Sequence, residues 1–443
     1  MKSPFTDLPR EVAVLVAVAA AVAVGFGVVA PAIPEFARSF GVGKTAAGAV
    51  ISAFALMRFV SALGGGRLVD AFGERIILAT GIAIVGVSTG LAGLSQSYEQ
   101  LLILRGLGGV GSAMFTVSAT ALLFRVVGSG SRGRATGLFQ SGFLIGGLLG
   151  PLAGGFLTSY SLRLPFYVYA VSLLGAGTIA TMFLSSARPR VAGTATSPPL
   201  EVAAAAEDPT GGGQAPAVDA VPAVDAVPAV DEPATLLREA WAHPSYRAAI
   251  AVNFAIGWAF FGVRMSLIPL FVTEGLHASV VWIGIGFLCT SLAQVTCLVF
   301  AGRFVDRTGR RPAMVIGCLV AGAALATLAV AHVLALFLVA MTALGVGGAF
   351  VGTAPGAVVG DIMHGRGGKV VAVFQMASDA GIITGPLAAG WLADHVSFGA
   401  AFVACAVVVF AAMVVALRMP ETLAGAPAGS SLLPAVVRRR PAG

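Results

Sequence analysis

Charge is scarce in this chain, so charged residues far from any turn stand out. Asp379 lies ten residues past Lys369 within an apolar run, and Arg58 lies nine residues before Arg67 within another. At 1.5 Å per helical residue, both sit about 13–15 Å from the end of their run. A lone charge at that depth in hydrocarbon is costly, so each calls for a partner or a function. Arg105 and Arg264 are buried in two further runs. Asn253, Gln140, Gln294 and Gln375 add hydrogen-bonding groups that either line a polar cavity or tie neighbouring helices. If Arg58, Arg105 and Arg264 face a cavity with Asp379 as its one deep acid, its field is net positive. That field favours anionic, zwitterionic or neutral polar ligands over lipophilic cations. Glu35, directly after Pro34, and Asp361 read as solvated charges at helix ends, with Glu35 retained as a weaker proton carrier.

The elements that must carry these residues follow from composition. The chain of 443 residues is 57% hydrophobic and 11% charged, against about a quarter charged in soluble domains. Runs of about 20 apolar residues mark membrane-spanning helices. Twelve such runs are found, at roughly 12–34, 46–66, 76–95, 101–124, 136–158, 164–184, 248–272, 281–301, 313–331, 333–360, 370–393 and 398–417. The first is too long for a signal peptide and is read as an uncleaved span. The fold class expected is an all-α membrane protein. Cys289, Cys297, Cys318 and Cys405 lie in apolar runs and read as core residues, without disulfide or metal spacing. The five histidines fall at span ends or in loops.

Twelve spans divide the chain into a six-helix bundle at 1–185, a linker at 186–245, a second bundle at 246–420 and a tail at 421–443. The linker carries "VDAVPAVDAVPAVDEPA", a composition that cannot build a core and predicts disorder. Its end, "LLREAWAHPSYRAA", is either a short interfacial helix or an ordinary loop. With both termini in the cytoplasm, cytoplasmic segments hold 21 of the 27 Lys and Arg residues; the opposite side holds Arg38, Lys44 and Arg163. This bias predicts a multi-pass protein of the cell membrane with cytoplasmic termini. The excess positive charge is thereby assigned to loops, and no nucleic acid is expected.

The two halves repeat. "GRLVDAFGER" at 66–75 and "GRFVDRTGRR" at 302–311 share six of ten residues. "GLFQSGFLIGGLLGPLAGGFL" from Gly137 aligns with "AVFQMASDAGIITGPLAAGWL" from Ala372, and Pro34 with Pro269. Such parallel repeats occur in transporters whose two bundles rock about a central cavity. "RGLGGVG" at 105–111 fits a dinucleotide-binding glycine pattern, but it lies inside a span with no preceding strand, which excludes that reading.

On these residues the chain resembles the major facilitator superfamily, and within it the twelve-span drug:proton antiporters. Gly66, Leu68, Asp70, Gly73 and Arg75 match that family's loop after span 2. "RGLGGVG" resembles its span-4 motif, "GGLLGPLAGG" at 146–155 its span-5 antiporter motif, and "GFGVVAPAIP" at 25–34 its span-1 motif. The resemblance implies two pseudo-symmetric six-helix bundles that work by alternating access as a monomer, on a small-molecule substrate, within a lipid bilayer. It implies no cofactor; a proton gradient is the energy source. A conformational gate is implied at Gly66, Asp70, Gly73, Arg75, Gly302, Asp306, Gly309, Arg310 and Arg311, with Asp70 near the N-terminus of span 11 and Asp306 near that of span 5. A pliable hinge is implied in span 5 at Gly146, Gly150, Pro151, Gly154 and Gly155, where ordinary small-residue packing is the alternative. A proton-coupling role is implied for Arg105. Spans 2 and 11 are neighbours in the family, so Arg58 and Asp379 are expected to pair, statically or as a coupling device that takes a proton when the pair parts.

The function expected is proton-coupled efflux of small organic molecules. The alternative is an uptake or facilitative carrier for organic anions or sugars, against which the span-5 motif argues. A membrane enzyme is the third class, and no Ser/His/Asp set, metal motif or phosphate loop supports it.

Overall fold

A computed structural model describes residues 10–127, 132–183, 236–363 and 368–423. The side chains of Asp70 and Gln140 and the surroundings of Gly66 lie outside the described residues, as does most of the expected linker. Among the described residues every regular element is a helix. In hydrocarbon a chain must satisfy its backbone hydrogen bonds internally, and helices do so segment by segment.

The first half consists of α1 (Arg10–Val29), α2 (Ala32–Arg38), α3 (Lys44–Phe72), α4 (Glu74–Gly93), α5 (Tyr98–Val126), α6 (Arg132–Tyr160) and α7 (Leu164–Phe183). The second begins with α8 (Leu237–Ala242) and α9 (Pro244–Ile256). A π-helical stretch (Gly257–Val263), α10 (Arg264–Leu270) and a second π-helical turn (Phe271–Gly275) follow. It ends with α11 (Val281–Thr308), α12 (Arg310–Ala329), α13 (Leu334–Ile362), α14 (Gly368–His395) and α15 (Phe398–Leu417). Among the described residues, eleven segments are long and apolar enough to cross a membrane. The 29-residue α6 completes the twelve, holding in the first half the place of α14 in the second.

Three boundaries differ from the sequence reading. Pro34 does not end span 1: the helix is interrupted at Ala30 and Pro31 and continues as α2 to Arg38. A proline is tolerated in the first turn of a helix, where its missing N–H has no partner to lose. The segment before span 7 does form a short helix, α8, so the second half starts before residue 246. Glu421 and Thr422 bond into the second half, to Arg310 and Asp361, so the tail starts later than 421.

The halves share one packing plan. α3 and α4 lie against α5, α4 against α7, and α1 against α6; in the same way α11 and α12 lie against α13, α12 against α15, and span 7 against α14. The halves meet along two seams, α3 with α14 and α6 with α11. The turns between α3 and α4 and between α11 and α12 are a single glycine each, Gly73 at φ 82° and Gly309 at φ 125°. Only glycine adopts such angles without strain, which explains both copies of the turn.

Candidate functional site

The arrangement at the bundle interface is built by close helix approach. Lipid gives helices no hydrophobic drive to associate, so small residues that admit tight contact do the work. In α5, a Cβ on Gly109 would overlap the Phe54 carbonyl oxygen and lie 3.0 Å from the Arg58 nitrogen. That approach seats α5 on α3 and lays the Arg105 guanidinium over the Phe54 ring, 4.7 Å from its centroid. Arg105 is 2% exposed, and its Nε and Nη1 have no hydrogen-bond partner among the described residues. It neither reaches an interface nor pairs with a described acid. A ring face offers a buried guanidinium up to about 2 kcal/mol.

On the other side, Gly257 and Gly381 bring α14 against the π-helical stretch of span 7, where added Cβ atoms would overlap the Ser378 and Phe254 carbonyls. Asp379, next to Ser378, then meets Arg58 of α3 across the interface, Arg58 Nη2 donating to Asp379 Oδ1. The expected pair is thus joined, and it links the two halves.

Above this pair, towards Lys44, the α3–α14 seam is tight. Ser52 Oγ donates to the Ile383 carbonyl at 2.7 Å. A Cβ on Gly48 would lie 2.6 Å from the Pro386 carbonyl oxygen. The α6–α11 seam mirrors it: a Cβ on Gly284 would lie 2.8 Å from the Pro151 carbonyl oxygen, and Ser291 Oγ donates to the Gly147 carbonyl at 2.8 Å. Gly146, Gly150 and Gly154 fit against α1, while Gly155 faces Gly284 of the other half. α6 runs unbroken through Pro151, so these residues form a packing seam in this conformation. Below Arg58, towards Gly73, the seam loosens: Leu63 and Phe72 are exposed, and Gly64 and Gly302 have open space beside them.

At the Lys44 end a polar network crosses between the halves. Arg38 Nε meets Glu274 Oε1 at 2.7 Å, and Lys44 Nζ lies 3.3 Å from Glu274 Oε2. Thr273 Oγ1 donates to Glu35 Oε1 at 2.7 Å. Asp394 accepts from the Lys44 and Thr45 backbone N–H groups, each at 2.8 Å, and from Thr45 Oγ1 at 2.7 Å. Glu35 is therefore half-buried and bonded, not solvated. Asp361 is likewise engaged, accepting from Arg310 Nε at 2.9 Å and from Thr422 Oγ1 at 2.7 Å.

Other expected residues are placed differently from the sequence reading. The Asp306 side chain is 74% exposed, 3.7 Å from Arg310 one turn on, while the side chains that open span 5 lie outside the described residues. Arg310 and Arg311 are held within the second half, their backbone N–H groups donating to Glu421 at 2.8 and 3.0 Å. Arg75 donates to the Thr181 carbonyl of its own half. The Asn253 amide is engaged by the Phe374 carbonyl at 2.6 Å, a helix tie. Arg264 packs on Phe287, 5.4 Å from the centroid, with Nε donating to the Phe260 carbonyl at 3.1 Å and Nη1 buried without a partner among the described residues. Gln294 is half-buried and Gln375 exposed, and neither side chain bonds a described residue. At the depth of Arg58, the interface offers the Asp379 carboxylate, with the Gln294 and Gln375 amides unbonded among the described residues.

Sequence reasoning passed over Lys44, Glu274, Asp394 and Glu421, all of which resembled ordinary helix-end charges. One signal was present: Gly43 precedes α3 and supplies no side-chain cap, leaving orphan N–H groups for some other residue. The π-helical stretches left no periodicity to read.

The family model of the Major Facilitator Superfamily matches residues 15–290 and 250–442. Multidrug resistance protein 1 of Bacillus subtilis (strain 168) is 31% identical over 160 residues, 36% of this chain and 41% of the relative. Quinolone resistance protein NorA of Staphylococcus aureus (strain MRSA252) is 29% identical over 143 residues, 32% of this chain and 37% of the relative. The matched stretch thus spans about two fifths of the length of these relatives. Among solved structures, an inward-facing, unoccupied bacterial homologue of the human lysosomal transporter Spinster superposes with a TM-score of 0.70 at 16% identity, covering 94% of this chain and 97% of that one. The human organic anion transporter MFSD10 (TETRAN) gives 0.62 at 17% identity, covering 92% and 100%. These likenesses are of fold.

Proposed function

Because the chain belongs to the Major Facilitator Superfamily, we propose that this transporter exports small organic molecules across the cell membrane in exchange for protons, by alternating access. The observation that carries the reading is the Arg58–Asp379 pair, which bridges the halves at the depth where the closed seam gives way. Parting the halves separates Asp379 from its cation, and a carboxylate without its cation in a low-dielectric cleft takes up a proton. Rejoining them releases it. The two relatives named for drug resistance support export of organic compounds.

The bias of basic residues assigns the Gly73 end to the cytoplasm and the Lys44 end to the outside. On that assignment the conformation described is closed outside, and its loosened end faces the cytoplasm. The Arg264 Nη1, unbonded among the described residues, favours neutral polar, zwitterionic or anionic substrates over lipophilic cations. A facilitative carrier for organic anions is the second reading, favoured by the same guanidinium group.

Loading everted vesicles with a substrate panel, with and without a protonophore, tests the first reading against the second. Uptake that collapses with the proton gradient supports exchange; uptake indifferent to it supports facilitation. Asp379→Asn should abolish gradient-driven transport while leaving substrate counterflow. Proton-driven transport retained by that variant would remove Asp379 as the coupling acid.

A further inference from the structure

We propose that Asp394 is a latch that holds the Lys44 end of the cleft shut and must release in every transport cycle. This rests on the alternating-access reading above. Asp394 lies in the last turn of α14, and the groups that donate to it all lie in the first turn of α3, in the other half. Two backbone N–H groups and one hydroxyl donate to it within 2.8 Å, and Lys44 Nζ adds a charge 3.8 Å away. Those N–H groups are the unsatisfied donors that begin any helix, and α3 has no side-chain cap of its own at Gly43. A carboxylate there also meets the positive end of the helix dipole.

The fit is specific to this closed arrangement. A Cβ on Gly43 would lie 2.8 Å from Asp394 Oδ2, so a larger residue there would push the carboxylate out of this seat. One turn below, a Cβ on Gly390 would lie 2.8 Å from the Thr45 Cα, so the helix backbones touch beside the latch. Glu274 binds Lys44 as well as Arg38 and so ties the latch to span 7. The bonds cannot survive separation of α3 from α14, and both partners then pass to water, which makes the latch reversible.

α3 and α14 run antiparallel, and each carries an aspartate near its C-terminal end, Asp70 and Asp394. Asp70 thus lies on α3 at the end away from Asp394. Asp394 touches no substrate in this scheme; it is a positioning residue.

The test uses the full chain with its four native cysteines replaced and one reporter at a time, Ser52→Cys in the closed seam or Gln375→Cys on the open side. A membrane-impermeant maleimide is applied to right-side-out and inside-out vesicles. In Asp394→Ala, labelling of Ser52→Cys from the Lys44 side should rise about tenfold, as expected when a charge-assisted set of bonds is lost from one state alone. Labelling of Gln375→Cys from the other side should stay level or fall. Thr45→Val, which removes the hydroxyl donor alone, should give a smaller rise at Ser52→Cys, and it stands in for Asp394→Ala should that variant not fold. An unchanged Ser52→Cys rate, or a rise at both reporters as in general loosening, would overturn the proposal. The assay needs neither the exported compound nor a proton gradient. A chain that fails the vesicle panel yet shows the one-sided rise upholds the latch; one that passes the panel without it does not.

Discussion

Arg38 and Glu274 stand 236 residues apart in the chain and meet at 2.7 Å. Each closes the first span of its half, so the duplicated bundles are joined by the corresponding turn of each copy. Glu35 and Thr273 make a second bond in the same place. Both ion-pair partners are part-exposed, and such a pair is worth about 1 kcal/mol or less.

Charge reversal at this joint should therefore matter more than charge removal. Glu274→Gln is expected to lower transport only modestly. Glu274→Lys sets a third cation beside Arg38 and Lys44 and should lower it about tenfold, with Arg38→Glu restoring a large part in the double variant. Initial rates in vesicles at matched expression measure this; a double variant no better than Glu274→Lys would show that the pair does not join the halves.

A second ion pair exists in two opposite forms. Glu74 pairs with Arg125 at 3.1 Å, and 236 residues on Arg310 pairs with Asp361 at 2.9 Å, with acid and base exchanged. Glu74→Arg alone should lower thermal stability by confronting Arg125. Adding Arg125→Asp should recover most of it, because that combination already works in the second half. Fluorescence-detected melting in detergent reads this, and failure of the double variant would mean the two sites are not interchangeable.

Gly109→Val should be among the most damaging single changes. It forces a side chain into the Phe54 carbonyl and the Arg58 nitrogen. Overpacking at such a contact costs about 1–3 kcal/mol, enough to cut folded yield. Gly147→Val, whose added Cβ meets open space, is the control expected to fold normally. Equal monodisperse yields of the two variants would refute the packing argument.

Glu421→Ala should loosen the second copy of the charged turn. It removes the acceptor for the N–H groups of Arg310 and Arg311, a loss of about 1–2 kcal/mol for a helix cap. Hydrogen exchange should quicken at the start of α12 and not at the start of α4. Uniform exchange at the two helices would show that Glu421 is not the anchor.

Much of this architecture is legible in the sequence because lipid leaves a chain few options. Apolar runs mark the spans, Gly73 and Gly309 mark the turns, and the repeat marks the halves. The depths of Arg58 and Asp379, with the resemblance placing spans 2 and 11 side by side, led to the pair the structure joins. The Lys44-end network was not legible. Asp394 and Glu274 sit at helix ends, where most acids only meet water, and their partners lie in the opposite half at separations no local pattern encodes.

Span 7 differs from span 1 in one respect that no side chain reveals. Its two π-helical stretches fit an extra residue into a turn, whereas span 1 is simply interrupted at Ala30 and Pro31. That extra residue is taken up by the wider turn, so the helix beyond it keeps its facing, and deleting one residue between Gly257 and Val263 would restore a regular α-helix with Arg264 still turned towards Phe287. What such a deletion removes is the wide turn itself, in which Gly257 lies against the Ser378 carbonyl, next to Asp379. One added residue thus shapes this side of the cleft without redirecting the side chains that follow it.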